Sequence, residues 1–433
     1  MASEIKDITF TFIGRIVYVI LVIIIQSCLA WFLLPDGRGS YAICLIYTTI
    51  LTMLFSFGSD TAFIYFVASK RLNISESITY SILIGFVVSI LSILIGFAVL
   101  QLPLSFTSKA TPSDFHLALF YCPVFLLANI YIQLLTSLGQ FYIYSILIVL
   151  REVNRLTFIL IFVLWLSLGV KGALLANIIS DFVMIFITLG LYKLKYHLNL
   201  VKPRLIHIRK ILSYGMRYYF GRLSNLLNVQ IGTIILAFFA SKEEIGLFAV
   251  ATALTVRIEM IPDSFFPVLF QRVANNKTDK LELIAQCARI TGMICSTLLI
   301  ILALFANPII EILFSSDFLP SVNLVRILII GTMARCVSKM FVPYILGTNH
   351  PGIASISVVI GLLTNIVMMY SFLPVYGLSG AAISVSMNYL ISSLILTVSF
   401  IHLSGVTIQD LFVFRQSDWE QVYFIMKRYF KKA

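Results

Sequence analysis

The sequence predicts an all-α membrane protein of about twelve transmembrane helices in two six-helix lobes, and three observations carry that prediction. Of 433 residues, 60% are hydrophobic and only 12% charged, against about 25% charged in average proteins. The apolar segments run about 20 residues or longer, the length a helix needs to cross a ~30 Å hydrocarbon core. The chain also repeats itself at a constant shift. A soluble fold of this size could not hide so much apolar surface, whereas lipid solvates it. In lipid every backbone polar group must be paired internally, which leaves helices and closed barrels. Barrel strands would be shorter and alternating.

Helices are expected at 9–34, 41–67, 79–102, 115–138, 143–168, 172–192, 218–240, 245–270, 283–306, 321–346, 352–373 and 379–402. Glu4, Lys6 and Asp7 precede the first, so it lacks the basic leader of a secretory signal. No small-x-small cleavage site follows it, and it reads as a retained helix. Cys28, Cys44, Cys122, Cys287, Cys295 and Cys336 all fall inside helices without metal-ligand spacing. They read as small packing residues, and no metal or cofactor is expected.

An even number of helices puts both termini on one side, and charge chooses the side. The loops sharing the N-terminal side, with the tail, carry 18 basic residues. The opposite loops carry four, Arg38, Lys109, Lys171 and Lys242. The positive-inside rule places both termini in the cytoplasm. It also accounts for much of the +12 net charge, so a nucleic-acid partner is not expected. The opposite loops, longest near 103–114 and 307–320, are too short for a domain. In the tail, Trp419, Val422, Tyr423, Met426 and Phe430 share one helical face beside Lys427, Arg428, Lys431 and Lys432. That pattern suits a helix lying on an anionic leaflet.

The repeat sets the domain organisation. Phe12-Ile13-Gly14-Arg15 resembles Tyr219-Phe220-Gly221-Arg222, and Gly39-Ser40-Tyr41-Ala42 resembles Gly246-Leu247-Phe248-Ala249, both shifted by 207. Leu138-Gly139 matches Leu346-Gly347, and Gly169-Val170-Lys171-Gly172-Ala173 matches Gly377-Leu378-Ser379-Gly380-Ala381, shifted by 208. Six helices per half make the repeat parallel, about an axis along the membrane normal. The expected divisions are an N-terminal lobe (1–192), a basic cytoplasmic linker (193–217), a C-terminal lobe (218–402) and the amphipathic tail (403–433).

Ionisable residues at bilayer depth are costly and point to function. Arg15 shares a stripe with Thr11, Tyr18, Val22 and Gln26 at helical spacing. The shifted stripe holds Tyr218, Arg222, Asn225, Val229 and Thr233, with Asn228 beside it. Matched arginines on matched polar stripes point to an anion site, with snorkelling to the cytoplasmic interface as the alternative reading. Thr49, Thr52, Ser56 and Asp60 form a stripe in the second helix, and Glu259 and Asp263 stand on its counterpart in the eighth. These acids are expected to pair with arginines or to bind a coupling cation. Glu152 and Arg155, at i and i+3, are expected to pair, and Arg151 shares a face with Arg155. Arg289, Arg326 and Lys339 lie near helix ends and are expected to snorkel to the interface. Pro123, Pro262, Pro267 and Pro343 interrupt helices and read as kinks or hinges.

Trp31-Phe32-Leu33-Leu34-Pro35-Asp36-Gly37-Arg38-Gly39-Ser40-Tyr41-Ala42 and Val375-Tyr376-Gly377-Leu378-Ser379-Gly380-Ala381-Ala382 resemble two helix junctions of bacterial polysaccharide flippases. The chain is similar to Wzx-type O-antigen flippases of the multidrug/oligosaccharidyl-lipid/polysaccharide exporter superfamily. The resemblance implies a V-shaped pair of lobes around a cationic cavity in a bacterial inner membrane. It implies transport of undecaprenyl-pyrophosphate-linked oligosaccharide repeats, with membrane lipids, a polysaccharide polymerase and chain-length machinery as further partners. Cavity arginines of such flippases lie on helices 1, 2, 7 and 8. Arg15, Arg222 and Arg257 fit by helix, whereas the second helix here has no arginine. The expected substrate-binding set is Arg15, Tyr18, Gln26, Arg151, Arg155, Arg222, Asn225, Asn228 and Arg257. The expected ion-coupling set is Asp60, Glu259 and Asp263.

A guanidinium-lined cleft suits a pyrophosphate. No GxxxxGK[ST] loop is present, so ATP hydrolysis by the chain is not expected. The rival readings are an ion-coupled multidrug antiporter of the same superfamily and a membrane polysaccharide polymerase or glycosyltransferase. The first would need acids and few arginines in the cleft. The enzymes would need a large basic outer loop or a cytoplasmic face of paired acids, and neither is seen.

Overall fold

The computed structural model describes residues 2–199, 201–274, 280–348 and 350–412. The tail stripe from Trp419 to Phe430 lies outside them. The chain runs through α1 (Ala2–Ser56), α2 (Ser59–Ala68), α3 (Ile74–Leu100), α4 (Pro112–Ser137), α5 (Phe141–Ile159), α6 (Gly169–Tyr196), α7 (Leu205–Phe239) and α8 (Lys242–Ile258). It continues through α9 (Met260–Ala274), α10 (Lys280–Leu304), α11 (Ala306–Phe314), α12 (Ser321–Ser338), α13 (Val342–Gly347), α14 (Pro351–Ser404) and α15 (Ile408–Phe412). The described residues contain no strand. Among the described residues seven helices are long and apolar enough to cross a membrane, and the remaining expected spans are interrupted or more polar helices.

Two helices are too long for one crossing. α14 has 54 residues, about 80 Å if straight at ~1.5 Å per residue. It breaks at Gly377, whose φ of 54° and ψ of −139° lie outside the helical region. A Cβ on Gly380 would strike the Phe372 carbonyl. In a straight helix those residues stand about 12 Å apart, so the chain reverses at Gly377. α1 breaks in the same manner at Leu34 (φ 57°, ψ 173°), one residue before Pro35, where proline denies the helix its next donor. The expected pairs 9–34 with 41–67 and 352–373 with 379–402 are therefore helices joined by a single non-helical residue.

Other expected helices are interrupted. The span at 41–67 breaks at Phe57 and Gly58, both at positive φ, and 245–270 breaks at Glu259, between α8 and α9. The span at 321–346 breaks between α12 and α13, just ahead of Pro343, while α4 runs unbroken through Pro123. α5 ends in a π-helical turn (Leu160–Trp165). α7 begins at Leu205, inside the stretch expected to be linker, because Ile208, Ile211, Leu212 and Tyr214 repeat at helical spacing and pack on the core. α11 occupies the expected loop at 307–320, burying Ile310 and Phe314 while Ile312 faces out.

Contacts divide the chain into two compact units. The first comprises Met1–Val250 with Glu311–Phe318, the second Ala251–Ile310 with Leu319–Ala433. Within the first unit α3 shows how lipid shapes the packing. Its inward positions are Ser77, Ser81, Gly85, Val88, Ser92 and Gly96, while Phe86, Val87, Ile90 and Leu94 are exposed. Small residues inside let helices approach, and large apolar residues face the tails. Leu127 of α4 packs on Gly85, and the Tyr47 hydroxyl donates to the Gly96 carbonyl at 2.6 Å. α7 docks on α2 in the same unit: Gly58 and Gly215 meet backbone to backbone, and Tyr65 stacks on Tyr214 at 4.2 Å. The repeat-related glycines Gly39 and Gly246 also touch, each leaving no room for a Cβ on the other's side. In the second unit Phe341 stacks on Phe400 at 4.6 Å within a core of Leu269, Ile284, Met340 and Ile345.

The repeat is visible in local geometry. Gly169 and Gly377 both sit at positive φ, 56° and 54°. Three residues on, Gly172 and Gly380 each press on a carbonyl of the preceding helix, from Phe162 and Phe372. The chain is a multi-pass membrane protein.

Candidate functional site

Among the described residues, buried charges form an ion-pair cluster in each unit. In the first unit it gathers on α5 and α6. The Asp181 side chain is fully buried. Arg151 donates to it twice, from Nε to Oδ1 and from Nη2 to Oδ2, both at 2.6 Å. The Tyr121 hydroxyl donates to Oδ2 at 2.9 Å. A third Arg151 donor, Nη1, reaches the Asn129 side-chain oxygen at 3.0 Å. One turn further, Arg155 donates to both Glu152 oxygens at 2.9 and 3.2 Å, the pair expected from their spacing. Arg155 Nη2 also stands 3.7 Å from Asp181 Oδ1.

This cluster is the middle of a longer string of arginines. Tyr144, Arg151 and Arg155 follow i, i+7, i+11 spacing and share a face of α5. α1 lies close on α5 because Gly14 packs on Ser145. That brings Arg15, Tyr18 and Arg151 within electrostatic reach of the Tyr144 hydroxyl. Arg15 is exposed and has no hydrogen-bond or ion-pair partner among the described residues. At the other end, Tyr41 accepts from Asn177 at 2.7 Å and is in electrostatic reach of Arg155 and Arg38.

Arg38 was expected in a loop. The reversal at Leu34 instead folds it back and buries it to 5% exposure. Its guanidinium donates to the Gln26 side-chain oxygen and lies 5.4 Å from the Tyr41 ring centroid. Its Nε has no partner, and no carboxylate pairs with it among the described residues. The buried string therefore holds three guanidiniums against the two carboxylates Glu152 and Asp181, with Arg15 exposed beyond them.

In the second unit the break at Glu259 exposes a helix end inside the bundle. Glu259 Oε2 takes Arg335 Nε at 3.1 Å and Lys339 Nζ at 3.0 Å. Lys339 also reaches Asp263 at 2.9 Å. Lys339 thus lies between two carboxylates rather than snorkelling, because α12 presents it one turn from Arg335 towards the broken helix. Arg289 does not snorkel either: it is buried and donates to the Asp410 carbonyl. Arg326 is exposed, with Nε 3.4 Å from the Ala303 carbonyl. The Arg335 guanidinium stands 4.3 Å over the Tyr389 ring.

Of the sequence-derived set, Arg15, Tyr18, Gln26, Arg151 and Arg155 come together in the first unit. Arg257 belongs to the second unit, half-buried and without a hydrogen-bond partner among the described residues. Arg222, Asn225 and Asn228 lie on α7, but their side chains are outside the described ones. Asp60 is buried at the start of α2, where Oδ1 accepts from the Thr61 N–H at 2.8 Å. No metal-binding cluster occurs among the described residues.

Sequence reasoning missed Asp181, Tyr121, Asn129 and Asn177. The signal was present: an acid in mid-span of an apolar helix, with an asparagine four residues before it.

The family model of polysaccharide biosynthesis proteins matches residues 5–274. The chain belongs to this family. The matched range contains every residue of the arginine string. A relative from Haloferax volcanii, "Probable low-salt glycan biosynthesis flippase Agl15", is 22% identical over 62% of this chain and 57% of its own length. "Probable flippase AglR" of the same organism is 24% identical over 53% of this chain and 49% of its own. The chain spans about half the length of the curated relatives it matches. Among solved structures, the lipid II flippase MurJ in its inward closed conformation matches with a TM-score of 0.68 at 16% identity, over 94% of this chain and 89% of its own. An inward-facing multidrug resistance MATE transporter of the MOP superfamily matches with a TM-score of 0.68 at 17% identity, over 89% and 96%. This member of the polysaccharide biosynthesis family therefore has the MOP-exporter fold that the two junction motifs suggested.

Proposed function

We propose that the protein is a flippase that carries undecaprenyl-pyrophosphate-linked oligosaccharide repeats across a bacterial inner membrane by alternating access, with both termini cytoplasmic. The observation that carries this reading is the arginine string of the first unit. Arg15 stands exposed at one end, Arg151 and Arg155 in the middle, and Arg38 without a carboxylate at the other. Guanidiniums bind phosphate oxygens bidentately, and a buried surplus of positive charge favours an anion over a cation. A glycan needs hydrogen-bonding groups, which Tyr18, Gln26 and the α7 asparagines offer, while a prenyl tail can stay in lipid. The relatives named as probable flippases and the MurJ-like fold support the same class of cargo. The chain then works as a transporter and not as an enzyme, beside a polymerase and chain-length machinery.

Arg15 is the clean test because it is exposed and its loss leaves no buried partner. Arg15→Ala should lower surface glycan roughly ten- to a hundred-fold at matched protein level, the worth of one charge-assisted hydrogen bond of about 1.5–3 kcal/mol. Lysine should restore only part, since it acts as a point charge. Near-normal glycan in the alanine variant would remove Arg15 from the path.

A second reading, an ion-coupled antiporter, is favoured by one feature. Glu259 Oε1 is buried with no hydrogen-bond partner, a place for a proton or cation. Glu259→Gln should then abolish stimulation by an imposed ion gradient, whereas retained stimulation would leave Glu259 as the ion-pair partner of Arg335.

A further inference from the structure

We infer that the first unit carries a second anion site, away from the arginine string, that holds the phosphate of an amphiphile. The site is a cavity of about 620 Å³ between the end of α2 and the start of α7, within the ~300–1,000 Å³ range of ligand pockets. Arg71, Arg209, Lys210 and His207 line it together with the Ser213 hydroxyl, and no carboxylate does among the described residues. Phe66, Leu72, Ile211 and Tyr214 supply an apolar wall.

The apolar wall is held by packing of α7 on α2. α7 is fastened to α2 by the Gly58–Gly215 contact and by the Tyr65–Tyr214 stack, and Phe66 meets Tyr214 edge-on at 5.5 Å. Arg71 stands on that stack, 5.7 Å from the Tyr65 centroid. His207 is oriented too. The Tyr80 hydroxyl accepts from the Arg204 N–H at 3.3 Å and lies 3.1 Å from His207 Nδ1. In the tautomer in which the hydroxyl donates to Nδ1, the imidazole proton sits on Nε2 as a further donor. Three cations, a hydroxyl and an imidazole gathered in one cavity make a phosphate receptor. The apolar wall favours a phosphate that carries a hydrocarbon part over a free ion.

Two sources share that chemistry: a bilayer phospholipid and a prenyl-linked diphosphate. The neighbouring cavity of about 470 Å³, lined by Lys70, Leu72, Asn73 and Tyr196, brings only one cation and serves as the internal control.

The test is thermal denaturation of the full chain in uncharged detergent, titrated with farnesyl pyrophosphate or with phosphatidylglycerol, against farnesol at matched ionic strength. At least one phosphate amphiphile should stabilise the protein, and farnesol should not. Arg209→Gln and Lys210→Gln, both at exposed positions, should each weaken the apparent affinity about tenfold, as should Arg71→Gln, while Lys70→Gln should leave it unchanged. Stabilisation by farnesyl pyrophosphate alone would assign the site to a prenyl carrier, by phosphatidylglycerol alone to a bilayer lipid, and by both to the shared phosphate. No stabilisation by either, or equal stabilisation of wild type and the Arg209 and Lys210 variants, would overturn the site. Glycan export of the Arg15 variants is a separate readout, so the two assignments fail independently.

Discussion

Asp181 on α6 and Tyr389 on the second arm of α14 are 208 residues apart, the same shift that pairs Gly169 with Gly377. Both hold an arginine, by different physics. Asp181, whose side chain is fully buried, grips Arg151 with two parallel hydrogen bonds. Tyr389 offers Arg335 only a ring face, and the charge is met by Glu259 on another element. The second network then runs through Lys339 to Asp263, whose side chain is 48% exposed. The repeat has conserved helix geometry, down to the positive-φ glycines, while the charges have been placed independently. One cluster is closed and the other opens to solvent.

The difference can be tested by removing the acceptor on each side. Asp181→Ala should have the largest effect. It strands a buried guanidinium and the Tyr121 hydroxyl, and breaking a buried pair from one side costs about 3–5 kcal/mol. Loss of folded protein, or a large drop in melting temperature in detergent, is the expected result; a drop no larger than that of the next variant would erase the distinction. Tyr389→Leu should cost less, about 1–2 kcal/mol for a largely desolvated cation–π contact plus packing, because Glu259 still neutralises Arg335. Asp263→Asn should cost least, under about 1 kcal/mol, as an exposed partner in a screened pair. A cost for Asp263→Asn matching that of Asp181→Ala would show that the second cluster is as closed as the first.

Much of the fold was legible because lipid imposes a simple code. Each of the twelve expected spans corresponds to a helix, an arm of a reversed helix or a pair of helices around a break. The breaks were less legible. Proline at 262 and 343 announced two of them, but the interruption at Phe57 and Gly58 had only a glycine to mark it. The site was legible where partners are close in sequence, as for Glu152 and Arg155. Arg151 and Asp181 are 30 residues apart, and only three-dimensional packing of α5 on α6 shows which acid an intramembrane arginine has chosen. Arg38 misled for a physical reason. Pro35-Asp36-Gly37 reads as a solvated turn, yet a reversal made by the single residue Leu34 leaves no loop to solvate.

The two one-residue reversals leave no slack between their arms. The helices joined at Leu34, and those joined at Gly377, share a single non-helical residue, so one arm cannot shift without pulling on the other. The first of these joints also carries Arg38, turned inward onto Gln26. An affinity tag or protease site cut into either joint would force apart two helix arms that no loop separates.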